Sequence, residues 1–304
     1  MANVDYRKYM VAKPLYEAGG RGVKNRQSPA MTYMSNTLVP EADYYLTLAW
    51  ITGIPDPNPH VFEHVHDYDE IVMFWSGDYK HPHTLGAEIV FYLGGQPIKF
   101  NTTTSFFIPK GLRHGPLIWK EYERPHMAMS LVLGCGDEQK IWGKSGIDVP
   151  KKDLPVKTED IDYERYVIRS PMGELGDPNT TGRTYPSMTY MSRIQIPEAN
   201  YYLECSWLYE MPHPNPHIKE HVHDTEEIVL HVGSDPDDPE DLGGEIELVL
   251  GGQPLRFSSN SAIFVPRGVP HGPLTWYACR KPHLEMAIML GIGTFAEGWG
   301  GKLP

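Results

Sequence analysis

The stretch EHVHDYDEIV (Glu63 to Val72) is met again 157 residues later as EHVHDTEEIV (Glu220 to Val229). In each, two histidines stand two positions apart. Successive side chains of an extended chain point to opposite faces, so His64 and His66 share one face, as do His221 and His223. Three polar residues then permit a turn, and Glu70 or Glu227 opens the next apolar run with a carboxylate that can return to the same point. Two imidazoles and a carboxylate on one short segment form a donor set for a divalent metal ion.

Outward from this stretch, the same shift superimposes the two halves of the chain without a gap. MTYMS at Met31 meets MTYMS at Met188, PEADYYL at Pro40 meets PEANYYL at Pro197, and LGGQPIKF at Leu93 meets LGGQPLRF at Leu250. Trp142 and Gly143 meet Trp299 and Gly300. Such self-similarity marks two copies of one module. The boundaries expected are a first domain over residues 1–147, a lysine-rich linker over 148–161 and a second domain over 162–304.

Within a copy, runs of about 5 to 9 residues rich in β-branched and aromatic side chains alternate with Gly, Pro, Asn and Asp, the pattern of a sandwich or barrel. Strands are predicted at Tyr44 to Thr52, Val61 to His66, Ile71 to Trp75, Glu88 to Leu93, Ile98 to Asn101, Ser105 to Ile108 and Met127 to Leu133, each with its counterpart. Helical periodicity is scarce. The expected fold class is all-β: two tandem barrels packed as an internal pseudo-dimer.

Composition narrows the partners. With 39 acidic against 27 basic residues the chain carries a formal charge of −12, which repels nucleic-acid backbones and anionic membranes. No apolar run approaches the roughly 20 residues that span a bilayer, and the start MANVDYRKYM lacks the apolar core of a signal peptide. These features predict a cytoplasmic protein with a small-molecule substrate, no nucleic-acid or membrane partner, and room for homo-oligomerisation. Cys135, Cys205 and Cys279 are odd in number and without CxxC spacing, so they read as reduced structural residues.

Ten of the fourteen histidines form five pairs across the shift, whereas His81, His83, His213 and His231 stand alone. IPKGLRHGPL and VPRGVPHGPL set His114 and His271 behind a Pro-x-Gly turn, which can aim a side chain across a barrel. HVFEH and HIKEH also fit the HxxEH string of inverted zinc proteases, but that string requires a helix, and Pro59 or Pro216 precedes an alternating run here. By strand parity His60 and His217 fall on the face of His64 and His221, where they would support a ligand or touch substrate. Arg113 adjoins His114 as a possible anion clamp, and His231 would make the second interior more polar where the first has Phe74.

HVHDYDE with PKGLRH, and HVHDTEE with PRGVPH, resemble the two motifs of the cupin superfamily, specifically its two-domain members. The resemblance spans nearly the whole chain and implies two jelly-roll barrels. It assigns His64, His66, Glu70 and His114 to one metal ion, and His221, His223, Glu227 and His271 to another. Asn58 and Asn215, Ile118 and Thr275, and Thr103 and Asn260 depart from residues common in the family, and none is a ligand position.

Three imidazoles and one carboxylate suit Fe(II) or Mn(II) first by resemblance, with Ni(II) or Zn(II) open. The expected function is a metal-dependent enzyme of oxidoreductase or dioxygenase type acting on a small hydroxy, keto or carboxylic acid. Glu70 and Glu227 could shuttle protons if their metal bond loosens. A non-redox isomerase or lyase, and a non-catalytic binding or sensing protein, are the alternatives.

Overall fold

The computed structural model describes residues 4–142 and 161–299. It divides into two compact units, Pro14–Ser170 and Met1–Lys13 together with Pro171–Pro304. Each unit is an antiparallel jelly-roll barrel. In the first, the large sheet runs in the order Val167–Ile168, Thr104–Ile108, Asp69–Ser76, His126–Leu133, Tyr44–Asp56, Ala30–Met34 and Leu15–Ala18, and Lys24–Arg26 also pairs with Tyr44–Asp56. Its small sheet is His114–Tyr122, Thr84–Leu93 and Gln96–Thr102. The second unit repeats both sheets, with Met10–Val11 at the edge beside Ser261–Val265 and Glu226–Gly233 following.

The unit boundaries depart from contiguous domains over 1–147 and 162–304. Met10 pairs with Ile263, and Val167 pairs with Phe106, so each barrel takes an edge strand from the segment that precedes the other copy. A two-residue strand leaves no periodic signature, and its partner is fixed only by an open sheet edge that needs its backbone groups paired. The expected linker, up to residue 160, lies outside the described residues.

The predicted strands occur, mostly longer than expected, with one exception. The Val61 to His66 segment is extended but forms only isolated bridges, Val61 with Leu117 and His64 with His114. Its alternation persists without a ladder, since Val65 is exposed while His66 is buried. His114–Tyr122 was not anticipated as a strand because Gly115 and Pro116 near its start look like a turn. Gly115 has a φ of +91°, and a Cβ there would collide with the Phe62 carbonyl. Glycine thus lets this strand press against the segment carrying His64.

The first interior is filled by apolar rings from both sheets, among them Phe74, Phe91, Phe100 and Phe106, with Phe91 and Phe106 edge-to-face at 5.2 Å. Truncating one such ring to alanine costs about 3–5 kcal/mol. Trp119 and Trp276 belong to this framework, donating through Nε1 to His126 and His283 Nε2 at 3.1 and 3.0 Å. Asn58 and Asn215, which depart from the family's glycine, clamp the same tryptophans' backbone: Asn58 donates to the Trp119 carbonyl at 2.7 Å and accepts from its amide at 3.1 Å. The cysteines form no disulfide. The acidic Asp235 to Asp241 loop is held by Lys281, 2.8 Å from Asp235 and 3.1 Å from Asp241. No helix of the described residues is long and apolar enough to cross a membrane.

Candidate metal centres

Two strands and one bridging segment deliver each four-residue cluster. His64 and His66 come from the extended segment, Glu70 from the start of Asp69–Ser76, and His114 from the first position of His114–Tyr122. The His64 amide donates to the His114 carbonyl at 2.9 Å and the His114 amide returns a bond to His64 at 3.0 Å, so the two ligand backbones are locked face to face. The ligand atoms of His64, His66, Glu70 and His114 lie within 4.8 Å of one another, as do those of His221, His223, Glu227 and His271.

The imidazoles are oriented by the backbone. Nδ1 of His64, His66 and His114 lies 2.8 Å from the carbonyls of Phe62, Tyr68 and Leu112. Nδ1 of His221, His223 and His271 lies 2.9, 2.9 and 3.0 Å from those of Lys219, Thr225 and Val269. A carbonyl can only accept, so each Nδ1 carries the proton and each neutral ring turns its Nε2 lone pair inward. Nε2 of His66 and His114 then stands 3.2 and 3.3 Å from Glu70 Oε2, and Nε2 of His223 and His271 stands 3.1 Å from Glu227 Oε2.

Such convergence suits a cation. Burial alone would raise the Glu70 and Glu227 carboxyls, but the flanking histidines hold both well below the usual carboxylate range. Burial also pushes His64 and His221 down to about 4, leaving them neutral and able to donate a lone pair near pH 7. His66 and His271 are drawn up despite burial, because Glu70 and Glu227 stabilise their protonated forms. His64 Nε2 is buried without a hydrogen-bond partner, a deficit of about 1–3 kcal/mol that a bound ion removes. The eight residues therefore fit one divalent ion per barrel.

Around these matched clusters the barrels diverge. In the first, Ser130 Oγ donates to Glu70 Oε1 at 2.5 Å, and the Trp142 ring lies 5.1 Å from that of His64. At the positions 157 residues on, Ala287 replaces Ser130, Glu204 replaces Thr47, Glu285 replaces Ala128 and His231 replaces Phe74. A cavity of about 110 Å³ in the second barrel is lined by Arg183, Glu204, His217 and Glu285 together with the cluster residues His221, Glu227 and His271.

This second interior is polar and under-satisfied. Glu204 Oε2, Glu285 Oε2 and both ring nitrogens of His217 and His231 are buried without hydrogen-bond partners. His217 Nε2 is 3.7 Å from Glu285 Oε2, beyond hydrogen-bond length. Burial, reinforced by the charges of Glu285, Glu227 and Glu174 against the opposing pull of Arg183, pushes Glu204 up to about 8. Burial would raise Glu285 too, but Arg183 and His217 hold it down to about 2. One carboxyl thus keeps its proton at neutral pH while its neighbour is ionised.

His60 lies against Trp119 at 5.1 Å and His217 against Trp276 at 4.7 Å, and His217 also lines the cavity with the ligands. His231 is fully buried, 5.3 Å from the Phe257 ring. Arg113 is ion-paired with Glu63 and its side chain is 61% exposed, so it stands outside the ligand cluster. Arg183, Glu204 and Glu285 were not singled out from the sequence. Their signal was present in the second copy: Glu204 and Glu285 interrupt apolar strands where the first copy has Thr47 and Ala128.

No protein-family model matches the chain, and no curated protein matches it. Solved structures do. AerE from Microcystis aeruginosa superposes with a TM-score of 0.55 at 11% identity, over 93% of this chain and 99% of that one. Oxalate decarboxylase from Bacillus subtilis, in its SENS161-164DSSN mutant, gives a TM-score of 0.56 at 11% identity, over 95% of this chain and 78% of that one. The chain has the bicupin fold. Vicilin from Corylus avellana (hazelnut) also matches, with a TM-score of 0.53 at 8% identity over 93% of this chain and 86% of that one. At these identities the likeness concerns the fold, and what the bicupin does rests on its own residues.

Proposed function

We propose that the chain is a metal-dependent bicupin enzyme acting on a small oxygen-bearing organic acid. The observation that carries this reading is the pair of converging three-histidine, one-glutamate clusters, each with its Nε2 atoms turned inward by backbone carbonyls. A divalent ion held there would supply Lewis acidity and open coordination positions to a chelating carboxylate or hydroxyl. His64, His66, Glu70 and His114 would hold the first ion, and His221, His223, Glu227 and His271 the second.

Two reaction classes fit this site. The oxidoreductase or dioxygenase class expected from the sequence uses the open positions for dioxygen. A lyase gains support from the solved structures, because one neighbour is an oxalate decarboxylase with Mn(II) centres. Mn(II) is accordingly the first candidate ion, ahead of Fe(II), Ni(II) and Zn(II).

Elemental analysis of protein purified without added metal tests the shared premise. Near two equivalents of a transition metal per chain are expected. None, even after reconstitution, removes the metalloenzyme reading. Turnover of small hydroxy and keto acids with and without oxygen then separates the classes: loss under anaerobic conditions selects the oxidative one, and persistence selects the lyase.

A further inference from the structure

The two metal clusters are near copies, yet the cavity of the second barrel is lined by Arg183, Glu204 and Glu285, each with a buried side-chain atom that has no hydrogen-bond partner. Arg183 is the sole Lys or Arg among the residues lining the second cavity. Its Nη2 is anchored by Ser206 Oγ at 2.7 Å and Ser187 Oγ at 3.1 Å, while its Nε is buried without a hydrogen-bond partner. The first barrel keeps the arginine, as Arg26, but has Ala30 and Ala49 in place of the two anchoring serines. At the matching positions the second interior has two serine anchors and two glutamates, all of which line the cavity, where the first has Ala30, Ala49, Thr47 and Ala128.

Unpartnered atoms at this depth specify the chemistry of an occupant. Glu285 is 7% exposed with an unpartnered carboxylate oxygen, so it needs a donor, such as a hydroxyl. The guanidinium can only donate, so it needs an acceptor, for which a carboxylate is the best geometric match. Glu227 and His271 on the same wall place the metal cluster beside both. A volume of about 110 Å³ accommodates a small aliphatic acid.

We propose that the second barrel's cavity is a binding site for a small aliphatic hydroxy acid, with Arg183 as the partner of its carboxylate and Glu285, supported by Glu204, as the partner of its hydroxyl. This inference rests on the metalloenzyme reading above and deepens it. A plain dicarboxylate is disfavoured, because its second carboxylate has no hydrogen to donate to the unpartnered Glu285 oxygen. The first barrel, with Thr47, Ala128 and Phe74 at the matching positions, lacks the hydroxyl-accepting half of the site.

The test is titration calorimetry of the full chain loaded with Mn(II), using glycerate as probe and malonate as comparator. Metal content is measured on the same samples. Glycerate is expected to bind at one equivalent per chain, at least tenfold more tightly than malonate. The Glu204→Thr/Glu285→Ala variant installs the residues that the first barrel carries, and it should lose at least tenfold in glycerate affinity while keeping its metal. Arg183→Met should weaken both probes. If either variant fails to fold, Glu285→Gln, which keeps shape and loses charge, must still reduce the preference for glycerate over malonate. Two metal ions with no glycerate binding, or with equal binding by wild type and Glu204→Thr/Glu285→Ala, overturns the hydroxy-acid site and leaves the metalloenzyme reading standing. Absence of metal from the wild-type chain overturns both.

Discussion

The two barrels share a ligand cluster almost atom for atom and differ in what stands behind it. Ring centroids of His64 and His114 are 4.1 Å apart, and so are those of His221 and His271. At matching positions the first barrel has Phe74, Ala128 and Thr47 and the second has His231, Glu285 and Glu204, the two glutamates lining the cavity beside the second cluster. Metal ligation tolerates little geometric drift, since all four donors must converge on one point. The inner wall is free to change chemistry so long as its volume is filled or hydrated. At these positions the second barrel has a charged wall and the first does not.

The comparison can be broken most decisively at the ligands. His114→Ala and His271→Ala should each lower the metal content by about one equivalent per chain, read by elemental analysis. Only His271→Ala should abolish turnover. Loss of both ions from either change would show that the barrels do not act separately.

The next largest effect comes from transplanting the polar wall. Phe74→His places an imidazole among Phe100, Phe106 and Trp119, losing packing and burying unpartnered nitrogens. It should destabilise the chain by about 3 kcal/mol in denaturant titration. The reverse change, His231→Phe, should relieve acid sensitivity. Burial holds His231 down to about 3 against an ordinary 6.5, so the stability it permits is complete above about 6.5 and is lost as pH falls toward 3. A His231→Phe chain with an unchanged acid limb would contradict this.

Glu204 should act at the opposite end of the scale. Its carboxyl is raised from 4.5 to about 8, so the folded state holds a proton that the unfolded state has released. Its contribution is complete below about 4.5 and is lost as pH rises through 8. Urea midpoints of wild type should therefore fall between pH 5 and 9 more steeply than those of Glu204→Thr. Equal slopes would remove the buried proton from the account.

The smallest effect is expected at Ser130, whose hydroxyl steadies Glu70. Ser130→Ala should weaken metal binding in the first barrel by about tenfold, and Ala287→Ser should strengthen it in the second by a similar factor. Competition with a chelator would resolve both.

The clusters were legible because His64, His66 and Glu70 sit at short spacings, because His114 sits in a second motif of the family that the chain resembles, and because both motifs recur at one shift. Parity alone put His64 and His66 on a common face, although the segment turned out to be held by bridges rather than by a ladder. Glu204 and Glu285 were hard to read for a physical reason. They lie on strands Tyr201–His213 and His283–Leu290, some 80 residues apart, and an isolated glutamate in an apolar strand does not reveal which way its neighbours face. Their departure from Thr47 and Ala128 was visible, but its meaning depends on a shared cavity.

What the sequence by itself determined is the duplication, the β class and, through the resemblance of its motifs, the eight residues that converge in the two clusters. Only the tertiary structure decided which edge strand completes which barrel, that Arg113 turns away to Glu63, and that Arg183, Glu204 and Glu285 meet beside the second cluster. Those outcomes depend on backbone pairing and on burial between residues far apart in the chain, where the energetic cost of an unpaired polar group selects the partner.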